Sequence, residues 1–380
     1  MPESFDVIVV GVGAVGSATC YHLAKQGLRV LGLERFAIPH AQGGSHGNSR
    51  QTKIAPYIGG PYEAIILRAY ELWRELVAES QQPDIMVTTG FLDVHRQPQV
   101  AHYNRTPAPK DTGYFEKLDL AEIRHRFPQF QLTEPYWGTW DPTGALLRPE
   151  LAITSFVRMA MQQGATILGN TPVQSWKADR FGVSVQTDRD TYSAGRLVLC
   201  AGPWMGKLLS DLSIVCTANR MSFGWVWPLR NAKSFLPEAM PCWCIDDEPG
   251  IYYGFPMMTD VPGYKIGLHW YGENVDPDQF DRMPNAHDEE LIRVGLRKFF
   301  PDGNGPLLGL RTCLYDHTPD DVPIIDTHPD HDLVTLCGPL CGAGFKFVPA
   351  YAEAAAELAV TGTTTLPLDF LRIKRLLKQS

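Results

Sequence analysis

The sequence has 380 residues, of which 44% are hydrophobic and 20% charged, and this length and balance suit a globular protein of two connected domains. A formal net charge of -8 and the lack of a Lys/Arg-rich block argue against a nucleic-acid partner. The N-terminal apolar run is interrupted by glycine too early for a signal peptide or a membrane span, so a cytoplasmic protein without a membrane partner is expected.

The N-terminal stretch predicts a strand, a glycine-rich turn and a helix. Residues 6–10 form a Val- and Ile-rich run typical of a strand buried on both faces, and residues 14–26 predict a helix. A G-x-G-x-x-G motif joins them, with glycines at Gly11, Gly13 and Gly16. The first glycine allows a tight turn, the second lets backbone approach a pyrophosphate, and the third lets the helix pack closely on the strand.

A second strand, at residues 29–33, ends at Glu34, which stands at the distance expected of an acid that hydrogen-bonds a ribose hydroxyl. The N-terminus of the preceding helix would offer unpaired N–H groups and a partial positive charge to phosphates. Strand, glycines, helix, strand and acid in this order predict an adenine-dinucleotide site, and an ordinary βαβ unit is the alternative. The motif alone does not distinguish FAD from NAD.

Residues 40–53, HAQGGSHGNSRQTK, form a polar, glycine-rich segment without periodicity. Its density of His, Ser and basic groups is typical of a loop that positions chemistry, and a solvated surface loop is the alternative. Residues 62–80 predict an amphipathic helix. Further strands are predicted at 88–94, 136–141, 166–168 and 183–185, and further helices at 119–127 and 148–163.

Residues 195–204, GRLVLCAGPW, predict a buried strand that runs into Ala201 and Gly202, two small residues that let a turn pass close to a cofactor. From residue 221 to residue 270 aromatic side chains recur with period two, which predicts antiparallel strands of a second domain. Two of the eight cysteines share a face of one such strand, but without further Cys or His partners near them no metal site is predicted.

The run YKIGLH places Lys265, Gly267 and His269 on one side of a strand, and a solvated surface residue is the plain alternative for the lysine. Residues 288–300 predict a helix that returns the chain toward the first domain. No second G-x-G-x-x-G is present, which argues against a reductase with separate flavin and NAD(P)H domains.

Near the C-terminus a strand at 334–337 leads through Gly338, Gly342 and Gly344 into a helix at 348–360. A glycine-rich turn between strand and helix aims backbone N–H groups at an electron-rich ligand. This turn is therefore a second candidate segment for cofactor binding.

Several separated motifs stand in a fixed order along nearly the whole chain: GVGAVG near the start, SHGNSR at 45–50, YEAIILRAYELW at 62–73, CAGPW at 200–204, YYGFP at 252–256, YKIGLH at 264–269, TCLYDHTPDD at 312–321 and GAGFKF at 342–347. In sequence and order they resemble the monomeric sarcosine oxidase and N-methyltryptophan oxidase family of FAD-dependent amine oxidases. Several motifs in the same order are more specific than any one of them.

The resemblance implies a mixed α/β (α+β) fold of two domains. A Rossmann-like FAD-binding domain would be discontinuous, at about 1–85, 145–215 and 305–380, and an antiparallel-sheet substrate domain would occupy about 86–144 and 216–304. The implied cofactor is FAD, joined covalently at its 8α position to Cys313, which the residues alone would predict to be a buried inert thiol. The resemblance also leans toward a monomer.

The motifs and the resemblance together predict which residues contact FAD. Apart from Cys313, these residues are Gly11, Gly13, Gly16, Glu34, Arg35, Ser45, Arg50, Val173, Ala201, Gly202, Gly342, Gly344, Phe345 and Lys346.

Catalytic roles are implied for Lys265, His269, Arg50 and His46. Lys265 matches the lysine beside the flavin that promotes oxygen reduction, because a fixed ammonium stabilises the superoxide anion that forms from neutral oxygen. His46 and Arg50 fall in the loop that covers the flavin, where a guanidinium favours the electron-rich reduced form.

The implied substrate-binding residues are Lys53, Tyr253, Tyr315 and Lys346, the last of which matches a basic residue that pairs with the substrate carboxylate. Lys53 stands where family members usually carry an arginine, so it keeps the charge but loses the planar fork. Two further departures are Ala343 in place of the usual His and Cys341 in place of a frequent Ser. These changes argue against sarcosine itself as the substrate.

The resemblance therefore implies an FAD-dependent oxidase of a secondary amino acid, N-methyl or cyclic, or of a related amine. Molecular oxygen would be the acceptor, and the products would be an imine and hydrogen peroxide. The nearer alternative is a dehydrogenase or oxidase of a bulkier or carboxylate-free amine with another acceptor. The more distant alternative is a non-catalytic FAD- or NAD-binding protein with a regulatory function.

Overall fold

The structure is a computed structural model that describes residues 5–96, 113–212, 214–269 and 272–377. Its α-helices are α1 (Ala14–Lys25), α2 (Glu63–Ser80), α3 (Leu120–Arg126), α4 (Pro149–Gln162), α5 (Met205–Leu208), α6 (Ala286–Phe299) and α7 (Val348–Thr361). Its strands are β1 (Phe5–Val10), β2 (Val30–Leu33), β3 (Arg50–Thr52), β4 (Met86–Thr88), β5 (Phe91–Arg96), β6 (Glu116–Leu118), β7 (Tyr136–Asp141), β8 (Ala145–Leu147), β9 (Thr166–Leu168), β10 (Val173–Asp179), β11 (Gly182–Thr187), β12 (Thr191–Leu199), β13 (Thr217–Val226), β14 (Cys242–Asp246), β15 (Ile251–Phe255), β16 (Tyr264–His269), β17 (Glu273–Val275), β18 (Leu307–His317), β19 (Ile325–His328) and β20 (His331–Cys337).

The first sheet has β1 between β2 and β12, with all three strands parallel. β9 and β20 extend the parallel part on either side, and β10, β11 and β19 add antiparallel pairs. Because the carboxyl ends of parallel strands meet at one edge of a sheet, the residues that follow β1, β2 and β12 come together there. These residues are Gly11, Glu34 and Cys200.

Four helices, α1, α2, α4 and α7, cover one face of the first sheet and share a core with it. Alternate residues of β1 point to opposite faces, so Val7 and Val9 belong to this core, whereas Ile8 and Val10 pack on the other face with Met205 of α5. Burial on both faces explains why β1 is a continuous apolar run.

The second sheet has nine strands, in the order β17, β13, β16, β15, β14, β5, β7 and β6, with β18 also paired to β13. Every pair is antiparallel except β5 with β14. Aromatic residues fill its core beneath α6: Trp243, Tyr252 and Tyr264 come from the predicted period-two segment, and Phe130 and Phe300 come from outside it. Trp270, at the end of the predicted aromatic segment, lies outside the described residues.

β18 connects the two sheets and thereby positions the candidate site. It pairs with β13 in the second sheet, and near its end the Asp316 carboxylate accepts a hydrogen bond from the Leu340 N–H at 3.1 Å, beside the glycine-rich turn that follows β20. β18 thus belongs to the second sheet although its residues fall in the segment assigned to the FAD-binding domain. The domain boundaries stay a prediction.

The predicted mixed α/β fold is confirmed, and the predicted helices and most predicted strands lie within a few residues of their observed bounds. The single strand predicted at 88–94 is wrong, because β4 ends and β5 begins around Gly90, which has a φ of 70°. A Cβ there would lie 1.8 Å from the Trp140 ring. β4 instead joins β3 and β8 in a small three-stranded sheet that was not predicted.

No helix within the described ranges combines the length and apolar character that a membrane crossing needs.

Candidate active site

The glycine motif forms a tight turn between β1 and α1. Gly11 has a φ of 88°, and a Cβ on it would lie 2.5 Å from the Cys200 carbonyl oxygen. A Cβ on Gly16 would lie 1.7 Å from the Gly11 carbonyl oxygen, so α1 could not approach β1 with any larger residue there. Gly13, by contrast, faces open space, with the Ser45 hydroxyl 3.9 Å from its hypothetical Cβ. The turn therefore leaves a backbone surface open to a ligand.

The Glu34 carboxylate is held beside this turn by backbone donors. The Val12 N–H donates to its Oε2 at 2.8 Å and the Phe36 N–H donates to its Oε1 at 3.0 Å. His40 Nε2 lies 3.4 Å from the same Oε1. Glu34 is buried, so its carboxylate is fixed at the end of β2, at the position predicted for a ribose contact.

A cavity of about 350 Å³ opens along these groups. Its lining includes most of the residues predicted to contact FAD: Gly11, Gly13, Glu34, Arg35, Ser45, Arg50, Val173, Ala201, Gly202, Gly342, Gly344 and Phe345. Three predicted residues do not line this cavity. Gly16 acts through packing of α1 on β1, and Cys313 and Lys346 line a second cavity.

An adenine dinucleotide fits the first cavity. The N-terminus of α1 has no side-chain capping hydrogen bond among the described residues and no acid in its first turn, so its N–H groups and partial positive charge are available to a pyrophosphate. Arg35 and Trp204 close the cavity on another side, where both donate to Asp278 Oδ1 at 2.7 Å. Asp278 was not predicted, because it lies 243 residues from Arg35 in sequence.

A second cavity, of about 140 Å³, adjoins the first. Both are lined by Arg50, Tyr315, Gly342 and Phe345. The second cavity is also lined by Gln51, Lys53, Tyr57, Asp93, Phe223, Cys244, Ile251, Tyr253, Phe255, His269, Cys313, Ala343 and Lys346. All four residues predicted to bind substrate therefore surround one small cavity that joins the cofactor cavity.

Two tyrosines form an aromatic wall of the second cavity, and each approaches a glycine closely. A Cβ on Gly342 would lie 2.6 Å from the Tyr315 ring, and a Cβ on Gly267 would lie 2.5 Å from the Tyr253 ring. Tyr315 Oη also lies 3.3 Å from His269 Nδ1. Burial raises the pKa of both phenols, so they remain neutral hydrogen-bonding groups.

Cys313 lies on β18 opposite Met221 of β13 and is 3% exposed. Its thiol lines the second cavity together with Phe223. Burial raises the pKa of the Cys313 thiol, while the nearby charges of Arg50 and Lys265 oppose that rise. Cys313 thus lies in the wall of the second cavity and not in that of the first, and its covalent attachment to a flavin stays a prediction.

Lys265 and His46 line neither cavity: His46 belongs to the loop at residues 45–50, and Lys265 lies behind that loop. The Lys265 ammonium donates to the Gly47 carbonyl at 2.8 Å and to the Ser49 carbonyl at 3.2 Å. Its Nζ also lies 4.1, 5.2 and 5.9 Å from the ring centroids of Phe223, Phe255 and Trp225. Burial and the nearby Arg50 charge lower the pKa of Lys265 well below its usual value.

The loop in front of Lys265 is fixed by Glu150, a residue that was not predicted. Glu150 Oε1 accepts the N–H groups of Gly47 and Asn48 at 2.6 and 3.1 Å. His46 is buried in the same loop, and burial and the Arg50 charge lower its pKa to about 3. Its Nε2 is buried and has no hydrogen-bond partner among the described residues, and because His46 lines neither cavity the structure does not bring this nitrogen to a ligand.

Arg50 and the two lysines of the second cavity are held differently. Arg50 donates to the carbonyls of Ser49 and Gly44 at 2.7 and 2.5 Å. Lys53 pairs with Asp93 at 3.0 Å, and although burial by itself lowers the pKa of Lys53, the Asp93 charge raises it above its usual value. Lys346 donates to the Ala343 carbonyl. Asp93 was not predicted, because nothing in the sequence of β5 indicates that it pairs with Lys53.

One group of potential metal ligands occurs among the described residues, away from both cavities: Asp211, His328 and His331. The Asp330 N–H donates to His328 Nδ1 at 3.2 Å, which places the proton of a neutral ring on Nε2, 3.3 Å from Asp211 Oδ2. A metal at Nε2 would need that proton on Nδ1 instead. His328 Nε2 makes no well-aligned hydrogen bond among the described residues, and its tautomer, which the Asp330 N–H sets, does not suit a metal.

Comparisons with known proteins agree with this geometry. The family model described as FAD dependent oxidoreductase (DAO) matches residues 6–358. A monomeric sarcosine oxidase from Streptomyces avermitilis is 36% identical over 382 residues, which cover 99% of each chain. An N-methyl-L-tryptophan oxidase from Salmonella arizonae is 32% identical over 381 residues, which cover 98% of this chain and 99% of the relative. The solved structure of NikD, described as an unusual amino acid oxidase essential for nikkomycin biosynthesis, has a TM-score of 0.84 at 25% identity and 97% coverage of both chains.

Proposed function

The chain belongs to the FAD-dependent oxidoreductases and, within them, to the group of monomeric sarcosine oxidases and N-methyltryptophan oxidases, and from this premise we propose that it oxidises a secondary amino acid. The observation that carries the proposal is the junction of the two cavities at Arg50, Tyr315, Gly342 and Phe345. A dinucleotide in the larger cavity would expose its reactive end to whatever occupies the smaller one.

The residues of the first cavity would hold FAD along its length. The glycine turn and the N-terminus of α1 would bind the pyrophosphate, and Glu34 would bind the ribose. Cys313 would supply the covalent attachment, because its thiol lies in the wall of the second cavity, beside the residues that the two cavities share. When bound, FAD supplies the acceptor for a hydride from the carbon next to the amine nitrogen and passes the electrons on to oxygen.

The second cavity suits a small amino acid. Lys346 offers a positive charge to the substrate carboxylate, and the rings of Tyr253, Tyr315 and Phe255 surround the remaining space. These rings exclude water and orient the amine, which increases the effective concentration of the reacting groups. The expected products are an imine, which water hydrolyses, and hydrogen peroxide.

Lys265 would act on oxygen and not on the amine, because it lies behind the loop and outside the substrate cavity. Its two carbonyl acceptors and neighbouring rings favour the ammonium form, and an ammonium fixed there stabilises negative charge that develops on oxygen. The departures at Lys53 and Ala343 favour an N-methyl or cyclic amino acid other than sarcosine.

A peroxide-coupled screen of N-methyl and cyclic amino acids tests the proposal. The purified protein should produce peroxide with at least one of these compounds and much less with the matched amine that lacks the carboxylate, because that amine cannot pair with Lys346. Equal activity on the carboxylate-free amine would contradict the role of the lysine, and no activity on any amino acid would contradict the proposed function.

A further inference from the structure

The second cavity contains an acid that a carboxylate-binding site does not need. Three of its lining residues, Arg50, Lys53 and Lys346, are cations, and Asp93 is the only carboxylate among the described residues that line it. An acid in such a position repels an anionic substrate unless its charge is compensated. The arrangement of these charges therefore determines which end of the cavity can accept an anion.

Asp93 compensates one particular cation. Its Oδ2 lies 3.0 Å from Lys53 Nζ, and the two side chains are 20% and 9% exposed, respectively. The Lys53 ammonium also lies 3.7 Å from the centroid of the Phe91 ring, on the same strand as Asp93. Lys53 is thus held between a carboxylate and an aromatic face, both provided by β5. A buried ammonium with a charged partner is a weak binding site for a second anion.

Lys346 is held in a different way. Its ammonium donates to the Ala343 carbonyl, which is a neutral acceptor within the same turn. Among the residues that the structure describes, no carboxylate lies within ion-pair distance of Lys346. Its positive charge is therefore available to a ligand in the cavity, whereas the charge of Lys53 is already paired.

We propose that Asp93 determines the charge selectivity of the site: by pairing with Lys53 it leaves Lys346 as the anchor for one substrate carboxylate and excludes a second. This inference rests on the proposed function and makes it more specific, since it assigns the substrate to amino acids with a single carboxylate. The end of the cavity at Lys53 and Asp93 accepts an uncharged part of the substrate and discriminates against acidic side chains.

Binding of non-oxidisable carboxylates to the holoenzyme tests this assignment. Propionate carries one carboxylate, and succinate and glutarate carry two. Calorimetric titration at mildly acidic pH, where a less well paired Lys53 stays protonated, gives the dissociation constant of each compound. The wild-type protein should bind propionate at least as tightly as either dicarboxylate.

Asp93→Asn should shift the ratio of dicarboxylate to monocarboxylate affinity by about tenfold or more toward the dicarboxylate, because Lys53 becomes free to form a charge-assisted hydrogen bond. The double variant Lys53→Met/Asp93→Asn should lose that shift. Glu116→Gln removes an exposed acid that does not line the cavity and should leave the ratio unchanged. Lys346→Met should weaken propionate binding by about tenfold or more, while the double variant, which removes Lys53 without leaving Asp93 uncompensated, should weaken it much less.

The outcomes separate the two proposals. If propionate binds and depends on Lys346 but Asp93→Asn leaves the ratio unaltered, the selectivity role of Asp93 is overturned and the proposed function stands. If the double variant weakens propionate binding as much as Lys346→Met does, Lys53 is an anchor and the assignment is again wrong. If wild-type holoenzyme binds none of the three carboxylates, the proposed function fails and this inference fails with it. Should Asp93→Asn not fold, Lys346→Met and the double variant, which removes both charges of the pair, still decide the question.

Discussion

Burial disfavours the charged form of Lys265, whereas the proposed role in oxygen reduction requires that form. Lys265 is 2% exposed, and burial together with the Arg50 charge lowers its pKa. Two backbone carbonyls and three aromatic rings act in the other direction, since each favours the ammonium form. A lysine held in this way is costly for folding, so its position requires a functional reason, which the reduction of oxygen would supply.

Replacing Lys265 by Met should slow reoxidation of the reduced flavin by about 100-fold, because one preorganised charge near the developing anion is lost. Reduction of the flavin by the amine should change little, since Lys265 does not line the substrate cavity. Stopped-flow absorbance measures the two half-reactions separately, and Lys177→Met, an exposed lysine on β10, is the matched control. Equal slowing of both half-reactions would contradict the role in oxygen reduction.

The residues alone would make Cys313 a buried inert thiol, whereas the proposal makes it the covalent attachment point of the flavin. Acid precipitation of the wild-type protein should leave the yellow colour in the pellet, because a covalent bond survives unfolding. Cys313→Ser should release the colour into the supernatant. Cys200→Ser, which changes a thiol that lines the first cavity, should behave as wild type, and a yellow pellet from Cys313→Ser would show that another residue carries the attachment.

At the scale of an element, α6 depends on an ion pair between a buried carboxylate and a partly buried guanidinium. Asp288 lies in the first turn of α6, where its Oδ2 accepts the Asn285 N–H at 2.8 Å and completes a capping box. Arg220 of β13 donates to both Asp288 oxygens at 2.7 Å. The pair therefore caps a helix and joins it to the strand that carries the partner of Cys313.

Asp288→Asn should lower the free energy of unfolding by about 2 kcal/mol at neutral pH, because it removes the charged partner of the partly buried Arg220 guanidinium. Although burial by itself raises the pKa of a carboxyl, Arg220 and Asn285 hold the pKa of Asp288 below its usual 3.8. The stabilisation is thus fully present above pH 3.8 and is lost as the pH falls through the lower folded-state pKa.

Urea unfolding of both proteins across this pH range measures the effect. The difference between wild type and Asp288→Asn should be large at neutral pH and shrink below pH 3.8. Glu116→Gln, which breaks an exposed pair with Arg126, should change stability little at any pH. A difference between wild type and Asp288→Asn that does not depend on pH would contradict the ion-pair explanation.

Most elements are predictable from local patterns, and the exceptions have physical reasons. The strand at residues 6–10 and the helix that follows are found because burial on both faces and the glycine motif are local features. The interruption at Gly90 is missed because it depends on the Trp140 ring, which packs where a side chain at residue 90 would lie. No local pattern at residue 90 shows that contact.

At the scale of the whole molecule, the two cavities bring together residues from both sheets. The residues that carry motifs are predictable: the glycine turn, Glu34 and the segments around Cys313 and Lys346 all line one cavity or the other or support its turn. The partners that fix them are not predictable. Asp93 pairs with Lys53, Glu150 fixes the loop at 45–50, and Asp278 accepts a hydrogen bond from Arg35. The two members of each pair are far apart in sequence, and a single sequence does not indicate such pairs.

The residue-level roles assigned here depend on one arrangement, a flavin that reaches from the first cavity to the junction with the second. In that arrangement an amine in the second cavity would reduce the flavin directly, and oxygen would reoxidise it with the help of Lys265. Substrate binding and covalent attachment would then involve residues of the second cavity, and oxygen reduction would involve Lys265 behind the loop at 45–50.

Anaerobic mixing of the purified yellow protein with an N-methyl or cyclic amino acid that is active in the screen tests this claim most directly. The visible absorbance of the flavin should disappear in a single turnover and return on admission of oxygen, with one peroxide formed per flavin. An absorbance that persists in the presence of every such amino acid, or that returns without peroxide, would contradict the account.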